Sequence, residues 1–349
     1  MLRRSALAAL IAVSLVPAAF ANRQAPAPTD TAYPGTIKIA VDATDLTRRI
    51  FRVTEEIPVV AGPLSLHYPQ WLPGSHSPSG PIDKLAGLVI TANGKRIAWK
   101  RDPLDVYTIN LVVPEGVTTL KLAYQFLSPL DRAQGRVVVT PEIIGLQWNA
   151  VLLYPAGHAA DKIMYSPSLK LPAGWKFGNA LEVASQNGAD TQFKDTDLET
   201  LMDSPLFAGK YYRQFDLDPG AKVPVRLNVV ADAPHMLEAT PENLAKHRKL
   251  VQQAAKLFGS HHYNHYDFQL ALTERFSGIG LEHHQSSENS AGPEYLTDPK
   301  GASSSDLLAH EYTHSWNGKF RRGADQITAN FNVPMQDSLL WVYEGQTQY

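Results

Sequence analysis

The sequence predicts a multidomain α+β protein, with an all-β domain at residues 36–235 followed by a second domain of helices and strands at residues 236–349. Up to about residue 232, short segments alternate between apolar and polar residues and are separated by turns of Pro, Gly and Asn. Beyond Thr240, apolar residues take the spacing of amphipathic helices. A chain of 349 residues is also long enough to bury two hydrophobic cores.

The segment ahead of the β domain is expected to contain a targeting sequence and a leader. A basic start, M-L-R-R, is followed by an apolar run at residues 6–16 that is too short to span a bilayer. Ala19 and Ala21 then form an A-x-A cleavage pattern, so residues 1–21 are predicted to be a signal peptide. Residues 22–35 are rich in Pro and small residues and are predicted to be a flexible leader.

Composition restricts the location and the partners of the protein. The signal peptide predicts a periplasmic or secreted protein, and no later segment has the roughly 18 apolar residues that a stable membrane span requires. The 32 Lys and Arg residues and the 34 Asp and Glu residues are scattered, so we expect no nucleic-acid partner. Cysteine is absent, so a metal site must use histidine and carboxylate ligands. The sequence leaves the oligomeric state open.

The β domain is predicted to be a sandwich. In residues 119–126, four apolar side chains fall on one face of a strand and polar ones on the other. The dipeptide Asn93-Gly94, between two apolar runs, is typical of a type I′ hairpin. In W-L-P-G-S, residues 71–75, the tryptophan is expected to anchor a turn in the core, with a substrate-facing loop as the alternative.

The second domain is expected to begin with a helix and to carry the chemistry. Thr240 can cap a helix that starts with Pro and stops at Gly259, a residue suited to a left-handed C-terminal position. A strand is predicted at about residues 268–273, and two further helices near residues 303–317 and 338–349. The last two helices contain the candidate metal ligands.

The first of these motifs is H-E-x-x-H. On a helix, His310 and His314 lie one turn apart on the same face, where both imidazoles can reach one ion. Glu311 lies next to them and is the candidate general base. Two surface histidines beside a chance glutamate would give the same pattern, so the interpretation requires a third ligand from another element.

Glu344 supplies the candidate third ligand. It lies inside the apolar helical stretch L-L-W-V-Y-E-G, where an unpaired buried carboxylate would be costly and a bound cation would remove that cost. The alternative is a glutamate that faces water or pairs with Arg321 or Arg322. Gln348, one turn later, could support a ligand, although an exposed glutamine explains it equally well.

Two histidines and one glutamate form the ligand set of a catalytic zinc site, because they leave the fourth position open. We therefore expect one Zn²⁺ per chain, bound by His310, His314 and Glu344. The metal would lower the pKa of a water molecule to about 7, and Glu311 would move its proton to the leaving amine. The expected reaction is hydrolysis of peptide substrates. The sequence does not locate the donor that stabilises the transition state.

A second constellation, G-I-G-L-E-H-H, spans residues 278–284. Its glycines would permit a close approach of backbone to a bound chain. Taken alone, Glu282 is best interpreted as an edge-strand charge, and His283 and His284 as a polar surface pair.

Taken together, these motifs resemble the glycyl aminopeptidase family, metallopeptidase family sixty-one, whose members are gluzincins. The resemblance rests on H-E-x-x-H, G-I-G-L-E-H-H and W-V-Y-E-G-Q-T-Q-Y, with further matches at W-L-P-G-S, L-M-D-S-P and the W-N pair after the zinc helix. It covers roughly residues 36–349.

The resemblance implies a β-sandwich-like domain leading into a thermolysin-like zincin catalytic domain, which would be truncated at its C-terminus here. Full-length members add helices and a PDZ domain. It also implies that Glu282 binds the α-amine of the substrate, which makes the protein an aminopeptidase favouring small N-terminal residues such as Gly or Ala. The alternatives are an endopeptidase of the same type and an inactive truncated relative that acts as a binding protein.

Overall fold

The computed structural model describes residues 24–349, so the predicted signal peptide lies outside the described residues. The described part of the predicted leader is attached to the β domain. The backbone N–H of Thr29 donates to the carbonyl of Gly157 at 3.2 Å, and that of Tyr33 donates to the carbonyl of Lys162 at 2.9 Å. None of the helices between residues 24 and 349 is long and apolar enough to cross a membrane.

The first part of the chain, up to residue 209, is built almost entirely of short strands. Its strands are β1 (Thr36–Asp45), β2 (Ile50–Pro58), β3 (Gly62–His67), β4 (Leu85–Ala92), β5 (Lys95–Arg96), β6 (Trp99–Arg101), β7 (Thr108–Val113), β8 (Thr119–Leu127), β9 (Ile143–Leu146), β10 (Tyr154–Pro155), β11 (Met164–Lys170), β12 (Lys176–Asn179), β13 (Val183–Asn187), β14 (Asp190–Phe193), β15 (Thr196–Asp197) and β16 (Leu206–Gly209). A short helix, α1 (Leu198–Met202), precedes β16.

Three sheets share one core in this β domain. A nine-stranded sheet has the order β13-β14-β11-β1-β2-β8-β4-β5, with β15 paired to β11. A four-stranded sheet, β10-β3-β7-β6, and a three-stranded sheet, β12-β16-β9, complete it. Alternate residues of the central strands face the core, as in β8, where the four apolar side chains predicted from the sequence are buried. The Asn93-Gly94 turn has positive φ at both residues, 49° and 75°, which confirms the predicted type I′ hairpin.

A five-stranded sheet forms the centre of the second part of the chain. It contains β17 (Tyr211–Asp216), β18 (Val225–Ala231), β19 (Tyr266–Leu272), β20 (Gly280–Glu282) and β21 (Ser286–Ala291), in the order β17-β18-β19-β21-β20. Strands β18, β19 and β21 are parallel, and the two edge strands are antiparallel to them. The sheet thus extends back to residue 211, while the domain boundary near residue 235 stays a prediction.

Helix α2 (Pro241–Phe258) covers this sheet and has the predicted ends. The hydroxyl of Thr240 accepts a hydrogen bond from the backbone N–H of Asn243 at 3.2 Å, which satisfies one of the free donors of the first turn. Gly259 ends the helix with φ of 67°, a left-handed conformation that glycine adopts without a steric penalty.

The two helices that carry the ligand motifs are shorter than predicted. Helix α3 is Leu307–Thr313, and a 3₁₀ turn at Gly301–Ser303 precedes it where the sequence predicted helix. The hydroxyl of Ser305 accepts from the N–H of Leu307 at 3.1 Å, so a serine does supply a partner at the helix start. The last helix is a π-helix, Trp341–Gln346.

The segment between α3 and the π-helix is anchored on the β domain. The carbonyl of Phe331 accepts hydrogen bonds from the backbone N–H groups of Gln70 at 3.0 Å and Trp71 at 2.7 Å. The side chain of Asn332 donates to the carbonyl of Tyr68 at 3.0 Å. The position of the π-helix therefore depends on the β domain as well as on α3.

One buried carboxyl group in the β-domain core makes stability depend on pH. Glu55 of β2 is 1% exposed, and its Oε1 accepts hydrogen bonds from the hydroxyl of Tyr124 and from the backbone N–H of Leu153. Burial raises the pKa of Glu55 to about 8, and these two hydrogen bonds only partly oppose the shift.

Because the pKa of Glu55 is higher in the folded than in the unfolded chain, its contribution to stability is present below about pH 4.5 and is lost as the pH rises through about 8. The free energy of unfolding, measured with urea, should fall between pH 5 and pH 9. This fall should be smaller in Glu55→Gln than in the wild type, by roughly 2–4 kcal/mol. Equal losses in the two proteins would contradict this assignment.

Candidate metal centre

Three side chains predicted as ligands converge at one point. The Nε2 atoms of His310 and His314 lie 3.0 Å apart. Oε2 of Glu344 lies 3.3 Å from the first nitrogen and 3.5 Å from the second. The ligand atoms of the three residues all lie within 4.8 Å of one another. The structure thus brings together the residues that the sequence selected from two helices 30 residues apart.

The hydrogen bonding of His314 shows which of its nitrogens faces the cluster as an acceptor. Its Nδ1 lies 3.0 Å from the carbonyl oxygen of Asn317, so Nδ1 carries a proton, and in the neutral ring the lone pair of Nε2 points towards His310 and Glu344. Lone pairs of nitrogen and carboxylate oxygen that converge in this way repel one another unless a cation lies between them. The residues therefore fit a bound divalent metal ion.

Asn317 couples the two helices that carry these ligands. Its carbonyl orients His314, and its side-chain amide donates to the carbonyl of Val342 at 2.9 Å and to the hydroxyl of Thr347 at 3.0 Å. The sequence showed this residue only as part of the W-N pair. Its contacts give the pair a physical role, which is to hold the π-helix, and with it Glu344, against the end of α3.

Glu311 lies beside the cluster and against the edge strand. Its side chain is buried, and a Cβ atom added to Gly280 of β20 would lie 2.3 Å from its Oε1. A side chain at position 280 would therefore displace this carboxylate from its present position. Burial, together with the neighbouring charge of Glu282, raises the pKa of Glu311 to about 8. Positive charge placed nearby would relieve this crowding of carboxylates.

Glu282 is buried at the end of the edge strand and is not an exposed edge charge. Its Oε1 accepts a hydrogen bond from the hydroxyl of Tyr343 in the π-helix. A loop of the β domain covers it, because a Cβ atom at Gly74 would lie 2.9 Å from Oε2 of Glu282. Ligand atoms of Glu282, Glu311 and His314 lie within 4.8 Å of one another, so this carboxylate faces the same small space as the metal cluster.

The neighbours of Glu282 form a buried charge network, which corrects the interpretation of His283 and His284 as a surface pair. Asp203 accepts hydrogen bonds from the backbone N–H and Nδ1 of His284, both at 2.6 Å, and from Nζ of Lys319 at 2.8 Å. His283 lies between Asp203, at 3.2 Å, and Glu288, at 3.4 Å.

The neighbours of His283 and Glu288 determine whether these two side chains are charged. Burial alone would lower the pKa of His283, but the hydrogen bonds to Asp203 and Glu288 outweigh it and raise the pKa to about 9. Burial would raise the pKa of Glu288, but Arg136 and His283 lower it to about 2. Since Asp203 and Arg136 come from the β domain, the network fixes the β20–β21 hairpin against that domain.

The structure also settles several contacts that the sequence left open. Arg322 pairs with Glu199 at 3.2 Å and not with Glu344. Gln348 is exposed and its side-chain amide donates to Asp306 at 2.6 Å.

In the W-L-P-G-S segment, Leu72 packs against the β-domain core and Gly74 lies against Glu282. Trp71 is only half buried. Sequence reasoning missed the next residue, His76, whose Nε2 lies 2.9 Å from Oε1 of Glu344. In the sequence, a histidine after a glycine-containing turn gives no indication of a contact with Glu344.

A cavity of about 680 Å³ lies between the β domain and the edge strand. Its lining includes Gly74 and Ser75 from the β domain, Gly280 and Leu281 from β20, and Lys319. The cavity therefore adjoins the backbone that carries Glu282. Its size is typical of pockets that hold small ligands.

Two family models match the sequence. The one described as the Peptidase M61 N-terminal domain matches residues 38–210, and the one described as M61 glycyl aminopeptidase matches residues 303–349. Together they cover more than half of the chain. A comparison with curated protein sequences gives no match.

Two solved structures have a similar fold. The aminopeptidase N family protein from Idiomarina loihiensis has a TM-score of 0.75 at 20% identity, over 90% of this chain and 53% of its own. Leukotriene A4 hydrolase from Saccharomyces cerevisiae has a TM-score of 0.52 at 13% identity, over 91% of this chain and 47% of its own. The chain thus spans about half the length of these two structures. They confirm the predicted fold class, a β-rich N-terminal domain followed by a zincin-like domain.

Proposed function

Since this chain belongs to the M61 glycyl aminopeptidase family, we propose that it is a zinc-dependent peptidase with one Zn²⁺ per chain bound by His310, His314 and Glu344. The observation that carries the proposal is the convergence of two imidazole nitrogens and one carboxylate oxygen within 4.8 Å. Zinc is favoured over harder cations because two of the three donor atoms are imidazole nitrogens.

Zinc at this cluster would act as a Lewis acid and make water acidic enough to serve as a nucleophile near neutral pH. The three protein ligands leave the fourth coordination position of the metal for this water molecule, which distinguishes a catalytic from a structural zinc site.

Glu311 is the proposed general base. It would take a proton from the attacking water and pass it to the amine that leaves when the peptide bond breaks. Its raised pKa in the metal-free chain is consistent with this role, because a divalent cation nearby would favour the ionised form that a base requires. The glycine at position 280 keeps the carboxylate close to the edge strand.

Glu282 is the proposed binding group for the substrate's α-amine, and this makes the protein an aminopeptidase. A buried carboxylate held by Tyr343 is a suitable partner for a desolvated ammonium group. Because it faces the same space as Glu311 and His314, only the first peptide bond after the amine would reach the reacting centre. Preference for Gly or Ala at the N-terminus is proposed from the family alone.

The proposed place of action is the periplasm or the cell exterior. The signal-peptide pattern at residues 1–21 and the absence of cysteine from the sequence support it.

Glu311→Gln tests the proposed mechanism directly. The amide has nearly the same shape but cannot accept the proton, so hydrolysis of glycyl and alanyl anilides should fall by at least about 10²-fold. Zinc content, measured by mass spectrometry on the same samples, should stay at the wild-type level because Glu311 is not a ligand. A variant that retains activity would contradict the assignment of the base.

Blocking the substrate amine tests the exopeptidase assignment. N-acetylated glycyl and alanyl anilides lack the ammonium group that Glu282 would bind, so they should be cleaved at least about 10²-fold more slowly than the free forms. The free-amine anilides serve as the matched control. Equal cleavage of blocked and free substrates would instead favour an endopeptidase that binds peptides along the whole cleft.

A further inference from the structure

The loop of the β domain at residues 72–77 reaches the metal cluster through one histidine. His76 has φ of 46°, in the left-handed region that non-glycine residues rarely adopt. Such a backbone is unfavourable for a residue with a Cβ atom, and it persists only where surrounding contacts impose it. The local contacts are a bridge between Leu72 and Ser77 and a hydrogen bond from the N–H of Ser75 to the carbonyl of Leu72 at 3.2 Å.

The ring of His76 is held in place on two sides. It lies edge-on to the ring of Tyr343, with centroids 4.7 Å apart and an angle of 81° between the planes. Its Nε2 lies 2.9 Å from Oε1 of Glu344, and its side chain is 12% exposed. A carboxylate oxygen only accepts, so Nε2 donates in this pair. The donor is present in one neutral tautomer and in the cation, so the bond does not depend on the charge of the ring.

The two oxygens of Glu344 therefore have different partners. Oε2 faces the Nε2 atoms of His310 and His314 at 3.3 Å and 3.5 Å. Oε1 is turned away from that pair and accepts from His76. A carboxylate with one oxygen bound in this way has a fixed rotamer and presents only the other oxygen to a metal ion.

We propose that His76 is a positioning residue for Glu344, so that the β domain completes the metal centre of the second domain. The inference rests on the proposed function, because it requires that Glu344 bind zinc. His76 would act before any substrate arrives, by reducing the number of conformations that the carboxylate loses when the ion binds. Partners of this kind typically change metal affinity by about 10–100-fold.

Three variants separate this role from a structural one. His76→Asn tolerates the left-handed backbone but is too short to span the distance to Glu344. His76→Gln carries an amide donor at about the reach of the imidazole Nε2. His158→Ala is the matched control, because His158 also lies in the β domain and makes a hydrogen bond, at 2.7 Å to the carbonyl of Thr31, but is not part of the cluster.

The measurement is the zinc dissociation constant, obtained by competition with a chelator, together with the melting temperature of each metal-free protein. His76→Asn should bind zinc about 10–100-fold more weakly than the wild type. His76→Gln should recover a large part of that loss, and His158→Ala should match the wild type. Metal-free His76→Asn should melt at or above the temperature of metal-free His76→Gln, because asparagine tolerates the left-handed backbone better. Weaker zinc binding by His76→Asn then cannot come from general destabilisation.

Three results would overturn the inference, and each is distinguishable from a failure of the proposed function. Unchanged affinity in His76→Asn would show that Glu344 needs no such support. Equal losses in Asn and Gln variants would show that the donor is not what matters. Two zinc ions in the wild type, one of them lost in His76→Asn, would make His76 a ligand, since His76, Glu282 and Glu344 also bring ligand atoms within 4.8 Å. A wild type that binds no zinc would refute the proposed function itself.

Discussion

Three parts of the molecule meet at the carboxylate of Glu344: the π-helix that carries it, the histidines of the α3 motif and a loop of the β domain. Oε2 faces the two histidines of α3, and Oε1 accepts from a loop of the β domain. The π-helix that carries the residue is held by Asn317, in the turn that follows α3. Insertion of an extra residue into a helical turn is costly and is found mostly at functional sites. Here the π-helix places the carboxylate of Glu344 between the two histidines and a loop of the β domain.

A second constraint comes from the density of like charge around this carboxylate. Glu282 and Glu311 lie in the same space, and the charge of Glu282 makes ionisation of Glu311 less favourable. The buried network of Asp203, His283 and Glu288 behind the edge strand is, by contrast, matched in sign. Like charge is therefore crowded in front of the strand, whereas the charges behind it are paired.

The sequence predicted the parts of this arrangement that depend on local periodicity. The alternating strand at residues 119–126, the Asn93-Gly94 hairpin and the ends of α2 are all confirmed, because each depends on a short stretch of chain. The convergence of His310, His314 and Glu344 was predicted from helical spacing and from the cost of burying a carboxylate. The π-helical form of the last element was not predicted, because no periodicity rule separates it from an α-helix.

The sequence patterns did not predict contacts between segments that are far apart in the chain. His76 is 268 residues away from Glu344, and Asp203 is 80 residues away from His283. Neither pair has a spacing that a helix or strand would reveal, so the sequence gives no indication of the His76 contact and favours a surface position for His283. What could have drawn attention to the loop at residues 71–77 was its clustering of glycine, proline and histidine beside a tryptophan. That composition is compatible equally with a plain turn.

The most direct test of this account is the zinc content of the purified wild type and of Glu344→Ala, measured by mass spectrometry after removal of loosely bound metal. We predict one zinc ion per wild-type chain and a large loss in the variant, because two imidazoles alone lack the third protein ligand of a catalytic site. A wild type without zinc, or a variant that retains its full complement, would contradict the metal centre on which the proposed function depends.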